Sequence, residues 1–509
     1  MADIASALLS FPPDAQILSS LQDVEYDRQI RSYINILQSI PLGTLARGAG
    51  TQNDLLELLD PSINSLAYIY VLSAQIHASS VKSMKIPDAH RPDGPFWMKL
   101  SDFLITCDPI QMRYAGEHWR RLLEYVERIT RFFRAPLAGI PLICAAMLRL
   151  DPTTGTLTTN HLNYIRLCLE ARMYRHALPI LDNSISGFPT APVSGGAITV
   201  PCADHSVSSA WITSRSGHSD KIEISHVQEY FLLGAMIYTG LEKYPQARLF
   251  LEHILTSPTQ GAASGMMVEA YRKWLLVGCL IEGKTPEPPR TINSPALKIL
   301  RSTSKPYETV VEVFQNRDMP RLQAEVDAGA ELWRNDGNLG LIRTLLRALP
   351  RFYILNLSKT YAAIPLPSVA RLLNLTPSDA HAYIESLIAS SHLNGRIDYP
   401  TAPDAPAVLR FFSTSSTEGP LARNESAQLA ALVAQTARTN KLAEMVKAAD
   451  LRLRLTREYI EYNRRRKGKR GGPGGGGGDV GGDAEMADPG LADVDVGDEG
   501  DEDLMGDLH

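Results

Sequence analysis

The residues Gly278-Cys-Leu-Ile-Glu-Gly283-Lys284-Thr285 match the phosphate-binding pattern G-x4-G-K-T letter for letter. Such a loop works by aiming backbone N–H groups and a helix N-terminus at a phosphate, so it must follow a buried strand and open a helix. Here the preceding stretch, Glu269 to Val277, has helical periodicity, and Pro286-Glu-Pro288-Pro289 blocks any helix afterwards. The pattern therefore reads as a helix C-terminus capped by Gly283. Cys202-Ala-Asp-His205 offers two metal ligands where a structural zinc needs four and a catalytic one three, and neither H-x-H nor H-E-x-x-H occurs. Gly261-Ala-Ala-Ser264-Gly265 has the wrong spacing for a nucleophile elbow. Cys107, Cys144, Cys168 and Cys279 lie among apolar helical residues, where a thiol behaves as a small hydrophobe. No catalytic residue, metal or cofactor is expected.

What these residues leave is a question of architecture. The chain has 509 residues, 51 Lys plus Arg against 56 Asp plus Glu, and 44% hydrophobic residues, enough for several domains. Twelve of the acids fall in Gly471 to His509, which holds no Lys or Arg, so residues 1–470 stand at plus 7. That is mild for the length and short of a nucleic-acid-binding composition. No apolar run reaches the roughly 18 residues of a membrane span. Five scattered cysteines and an N-terminus without a basic leader point to a reduced, intracellular protein.

Apolar residues recur at helical spacing through most of residues 14–360, and strand-like alternation is nearly absent. Tyr174-x2-Ala177-x3-Leu181 returns 70 residues later as Tyr244-x2-Ala247-x3-Leu251. Between the copies, residues 183–221 are rich in Ser, Gly and Pro without periodicity; removing those 39 leaves a repeat near the roughly 34 residues of tetratricopeptide-type hairpins. The expected organisation is N-terminal helical repeats over 1–156 and TPR-like repeats over 157–350 with an inserted loop at 183–221.

After residue 350 the pattern changes. Phe352 to Tyr361 reads as a short helix, Ile364-Pro-Leu-Pro as extended chain, and Ser368 to Asn374 as a second helix. Thr376-Pro377-Ser378-Asp379 has N-cap chemistry, with Ala380, Tyr383, Ile384, Leu387 and Ile388 on one face of a third helix ending near Asn394-Gly395. Arg396 to Tyr399 and Val408 to Phe412 could pair as a ribbon, making 351–412 a winged helix. From Glu425 to Tyr462 there is no Gly or Pro, and Leu429, Leu432, Val433, Leu442, Val446, Leu453 and Ile460 follow near-heptad spacing, which predicts one long helix. Residues 464–509, basic and then glycine-rich and acidic, cannot bury enough surface to fold. The expected fold class is an all-α helical-repeat solenoid, a winged helix with a small β-ribbon, and a long C-terminal helix.

A winged helix raises nucleic-acid binding as an alternative. Its third helix would need Arg, Lys, Asn or Gln outward. Residues Ser378, Asp379, His381, Ala382, Glu385, Ser386 and Ala389 supply no Lys or Arg and two acids, which opposes that reading.

Helical hairpins leading into a winged helix resemble the PCI family shared by the proteasome lid, the COP-nine signalosome and translation initiation factor three. In detail, His161 to Leu181, Gly234-Ala-Met-Ile-Tyr-Thr-Gly-Leu241, Met267-Val-Glu-Ala-Tyr-Arg-Lys273 and Asp336-Gly-Asn-Leu-Gly-Leu-Ile-Arg343, in this order, resemble the signalosome third-subunit family within that class. The resemblance covers about residues 157–412 and excludes the insert and the acidic tail. It implies a non-catalytic scaffold in a complex that removes Nedd8 from cullins, present in cytoplasm and nucleus, with a proteasome-lid scaffold as the alternative within the class. It also implies that partners are other signalosome subunits and, indirectly, cullin-RING ligases, with no membrane or nucleic acid. Subunits of this class join through winged-helix edges and a bundle of C-terminal helices. The implied interface residues are Arg396, Ile397, Tyr399, Val408, Leu409 and Phe411 on the ribbon, and Leu429, Leu432, Val446, Leu453 and Ile460 on the helix.

Overall fold

The structure is a computed structural model that describes residues 2–470, apart from 14–20, 48–53, 83–85, 191–199, 206, 260–261, 374, 400–405, 413–418, 420–421 and 423–424. It divides into two units, Met1–Phe412 and Ser413–His509.

The first unit is built of paired helices. Ser65–Lys82 buries an almost unbroken run from Leu66 to Leu72, as a helix covered on all sides must. Around it pack helices with one apolar face, such as Gly116–Phe132 and Pro136–Leu150. Two hairpins follow, Thr159–Glu170 with Tyr174–Leu181 and Ile224–Gly240 with Tyr244–Leu255. Ala177 and Ala247, the small residues of the sequence repeat, are fully buried where the helices meet. Each hairpin turns on a left-handed residue at the equivalent place, Arg172 (φ 57°) and Glu242 (φ 58°). The repeat is thus a structural one.

The described part of the insert holds one 3-10 turn, Ser208–Ala210, and is anchored. Trp211 and Ile212 are buried, the Arg113 guanidinium lies 5.1 Å from the Trp211 ring, and Arg113 Nη1 donates to the carbonyls of Pro201 (2.8 Å) and Ala203 (3.0 Å).

The expectation that a new helix starts at Phe352 is corrected. Leu339–Leu357 is one helix that continues through Pro350. Proline removes a single N–H from the ladder, and burial along the rest of the helix outweighs that loss: Leu345, Leu349 and Phe352 belong to the repeat core and Ile354 to the winged-helix core. One rigid element therefore spans both cores.

The winged helix follows as β1 (Ala363–Pro365), the helices Leu366–Leu373 and Pro377–Ala389, β2 (Gly395–Asp398) and β3 (Val408–Phe411). Thr376 caps the second of these helices, accepting from the Asp379 N–H at 3.2 Å. That helix ends at Ala389, earlier than expected, and Gly395 already belongs to β2. Ile364, Val369, Ile384, Leu387, Leu409 and Phe411 form a separate small core. The sheet has three strands in the order β1-β3-β2, both pairs antiparallel, where a two-stranded ribbon was expected.

In the second unit the single long helix is corrected to two, Glu425–Arg454 and Arg457–Arg470. The break falls at Leu455-Thr456, where the Thr456 hydroxyl donates back to the Leu453 carbonyl at 2.7 Å and its carbonyl accepts from Ile460 N–H at 3.1 Å. Thr456 thus stands where an N-cap residue stands. The basic run from Arg464 is helical to Arg470, against the expectation of a tail; residues 471–509 lie outside the described residues. No described helix is long and apolar enough to cross a membrane.

Candidate assembly interface

The sheet offers two unequal edges. Phe411 N–H donates to Ala362 on the β1 side, while Phe412 N–H donates to Asn394 on the β2 side. Strand groups alternate direction, so Asn394, Arg396 and Asp398 bond to β3 and the backbone N–H and C=O of Gly395 and Ile397 turn outward. By the same alternation Ala363 and Pro365 face out from β1, and proline has no N–H to offer an incoming strand. Among the described residues, β2 is therefore the edge better able to take another strand.

This redistributes the expected ribbon residues. Val408, Leu409 and Phe411 do not lie on an edge, because β1 pairs with β3 on the side opposite β2. Leu409 and Phe411 point into the small core and support the sheet from within. Arg396 and Tyr399 are exposed, and Ile397 is half-buried against the core. Arg396 and Arg410 both bind Asp398, at 2.7 and 2.9 Å, and hold its carboxyl below the usual carboxylate range. Tyr399 Oη meets His381 Nε2 at 2.7 Å, fixing the chain where it leaves β2.

Along Glu425–Arg454 no residue is buried. Leu429, Leu432 and Val446 are 63, 60 and 67% exposed, and Leu453 is 52% exposed. A helix gains little in water from apolar residues that stay exposed. Ile460, 46% exposed, lies on the second helix, and the heptad register joining it to Val446 and Leu453 is interrupted at the break.

The phosphate-loop pattern sits where the sequence places it, at the end of the helix Gly265–Glu282. Gly283 takes a left-handed φ of 70° as the C-cap, Pro286 packs against Gly278, and Thr285 Oγ1 donates to Gln315 at 2.6 Å. Cys202 Sγ points to the Asp23 carbonyl and His205 Nε2 to that of Val200, so the two do not converge. Among the described residues no three His, Cys, Asp or Glu side chains are arranged to hold a metal ion. Burial pushes the Cys107 and Cys168 thiols up to about 12.

The sequence reading has Ile364-Pro-Leu-Pro extended but does not make it a strand, because Ala363-Ile-Pro is too short to alternate.

Comparison with known proteins agrees with this architecture. The family model described as "COP9 signalosome complex subunit 3, N-terminal helical repeats" matches residues 28–295, and that of the PCI domain matches residues 326–402. The chain is 29% identical over 512 residues to the COP9 signalosome complex subunit 3 of Emericella nidulans, covering 100% of both chains. It is 27% identical over 473 residues to the Neurospora crassa protein of the same name, covering 91% of each. With that of Drosophila melanogaster it shares 26% over 375 residues, 72% of this chain and 78% of the other. With paired repeats, a PCI winged helix and a match across most of its length, the chain belongs to the COP9 signalosome subunit 3 family.

Proposed function

We propose that the chain is a non-catalytic scaffold subunit of a signalosome, a complex that removes Nedd8 from cullins and thereby regulates cullin-RING ubiquitin ligases in cytoplasm and nucleus. The observation that carries this reading is the unburied apolar stripe of Glu425–Arg454, which partner helices would cover. The open β2 edge supplies a second surface, with Gly395 and Ile397 turned outward to meet a partner strand. Leu429, Leu432, Val446, Leu453 and Ile460 serve as helix contacts, and Arg396 and Tyr399 flank the strand contact. Leu409 and Phe411 keep that strand in place.

The test is recovery of partner chains by the tagged protein from native extract. Leu429, Leu432 and Val446 changed together to Glu remove three anchors of about 1.5 to 3 kcal/mol each at full burial. The expected result is a strong loss of co-purifying signalosome subunits with an unchanged melting profile. Arg452, Arg454 and Arg457 changed to Ser alter charge and leave the stripe, so recovery is largely kept. Normal recovery by the triple Glu variant would refute the helix contact, and recovery of chains unrelated to a signalosome would refute the assignment.

A further inference from the structure

Where the insert returns to the repeats it closes over a small cavity of about 30 Å³, lined by Asp151, His161 and His218 among apolar neighbours that include Trp119, Leu150 and Ile212. The closure is tight. A Cβ on Gly116 would meet His218 Nδ1 at 2.1 Å, Thr156 Oγ1 and Ser208 Oγ hydrogen-bond at 2.8 Å, and the Thr159 N–H donates to Ser219 Oγ at 3.1 Å.

All three polar side chains belong to residues more than nine-tenths buried. Each keeps one atom without a well-aligned hydrogen-bond partner among the described residues, Asp151 Oδ2, His161 Nε2 and His218 Nε2, and the Thr154 backbone also lies beside the His161 ring. Their protons can be placed from their other contacts. His161 Nδ1 faces the Thr158 backbone N–H at 3.2 Å, a group that only donates, so the ring proton of neutral His161 is on Nε2. His218 Nδ1 faces the Ser216 carbonyl at 3.4 Å, a group that only accepts, so Nδ1 carries the proton and Nε2 the lone pair. Asp151 Oδ1 already accepts from Thr153 N–H and Oγ1, at 3.0 and 2.6 Å. The cavity therefore presents one donor and two acceptors. Burial pushes both histidines down to about 4, which keeps the rings neutral.

We propose that this cavity is an internal water site that locks the insert to the repeats, the water accepting from His161 Nε2–H and donating to His218 Nε2 and Asp151 Oδ2. Water is the ligand whose two donors and two acceptors fit this set, and one molecule needs roughly 10–15 Å³, so the space is large enough to hold it. An organic ligand is too large. A metal ion would confront the His161 N–H, and the three groups are not arranged to coordinate one.

The experiment uses the full chain labelled with nitrogen-15 at histidine. Long-range proton–nitrogen spectra of the unaltered protein at neutral pH should show His161 as the Nε2–H form and His218 as the Nδ1–H form, with cross-relaxation from long-lived water to the His161 ring proton. Trypsin cleavage after Arg215 and Lys221, both exposed, then reads the attachment of the insert. His218→Phe, which keeps a ring and removes the acceptor, and Asp151→Asn should each speed that cleavage about tenfold, the loss expected for one or two bridging hydrogen bonds. Asp204→Asn, exposed on the same insert, should leave it unchanged. Identical tautomers in the two rings, or no water contact at His161, would overturn the proposal whether or not the variants fold. Unchanged cleavage in both folded variants would overturn the locking role.

Discussion

Lys273 donates a 2.7 Å hydrogen bond to the side-chain carbonyl of Asn338, 65 residues further along the chain. Both are buried, and the contact ties the segment 267–273 to the segment 336–343. The Asn338 amide donates on to Tyr307 Oη at 2.9 Å, Tyr307 donates to Asp336 at 2.8 Å, and Arg272 pairs with Asp336 at 2.8 Å. Two segments far apart in sequence are thus one polar joint in space, at the foot of the helix that carries both cores.

Asn338→Ala should cost about 1.5 to 3 kcal/mol, because it leaves a buried ammonium with only the Glu269 carboxylate, 3.1 Å away. Lys273→Met, which removes the charge as well, should cost less. Urea unfolding measures both; a larger loss for Lys273→Met would mean that the joint holds by packing alone.

At the phosphate-loop pattern, Gly283 and Lys284 should respond in opposite ways. Gly283→Ala forces a side chain into a left-handed conformation and 2.3 Å from Phe352, a strain of at least about 1 to 2 kcal/mol. Lys284→Ala, exposed and beside Glu282 at 3.7 Å, should be nearly neutral, and Mg-ATP should leave the melting temperature of either variant unchanged. An ATP-dependent stabilisation abolished by Lys284→Ala would reverse this reading.

Ile384 is fully buried in the winged-helix core and Glu385, next to it, is exposed. Ile384→Asp should cost several kcal/mol, on the order of a domain's whole stability. Glu385→Ala gives up only an exposed contact with His381 at 3.7 Å and should be nearly silent. Circular dichroism melts of the two variants decide the matter, and equal losses would place the wrong face inward.

Acid should loosen the first unit. Burial pushes His90, His161 and His218 down from 6.5 to about 4, so between those values the folded state binds fewer protons than the unfolded one. Stability is complete above pH 6.5 and falls as pH drops toward 4, by up to about 1.4 kcal/mol per pH unit for each ring. Asp151, the charged group facing His161, opposes part of that loss; His90 has only the Tyr125 hydroxyl, 2.6 Å from Nδ1. The melting temperature should therefore decline between pH 7 and 5, and His90→Phe should flatten the slope. A slope unchanged in that variant would mean that the ring titrates normally.

Much of this was legible because local chemistry and global packing agree. Thr376-Pro377 has helix-start chemistry and does start the helix Pro377–Ala389, and Ala177 and Ala247 are small and buried where two helices touch. The misreadings fall where tertiary burial overrules a local signal. The change of pattern after residue 350 read as a new helix from Phe352, yet one helix, Leu339–Leu357, feeds two cores. The break at Leu455-Thr456 contains neither Gly nor Pro, but threonine before Arg457-Glu458 is an N-cap signature that could have marked it. Trp211-Ile212, an apolar pair in a polar stretch, was the available sign that the insert is anchored. The expected edge included β3 as well as β2 because strand order depends on β1, three residues long and silent in periodicity.

That short strand biases the growth of the sheet. With Pro365 facing out from β1, that margin has one donor fewer than β2, so a neighbouring strand gains more hydrogen bonds at β2 than at β1. Two sheets of this kind joined through β2 would each keep only the poorer margin free. Growth by repeated addition, the hazard of any sheet with two equal margins, is thereby made less favourable by a single ring nitrogen.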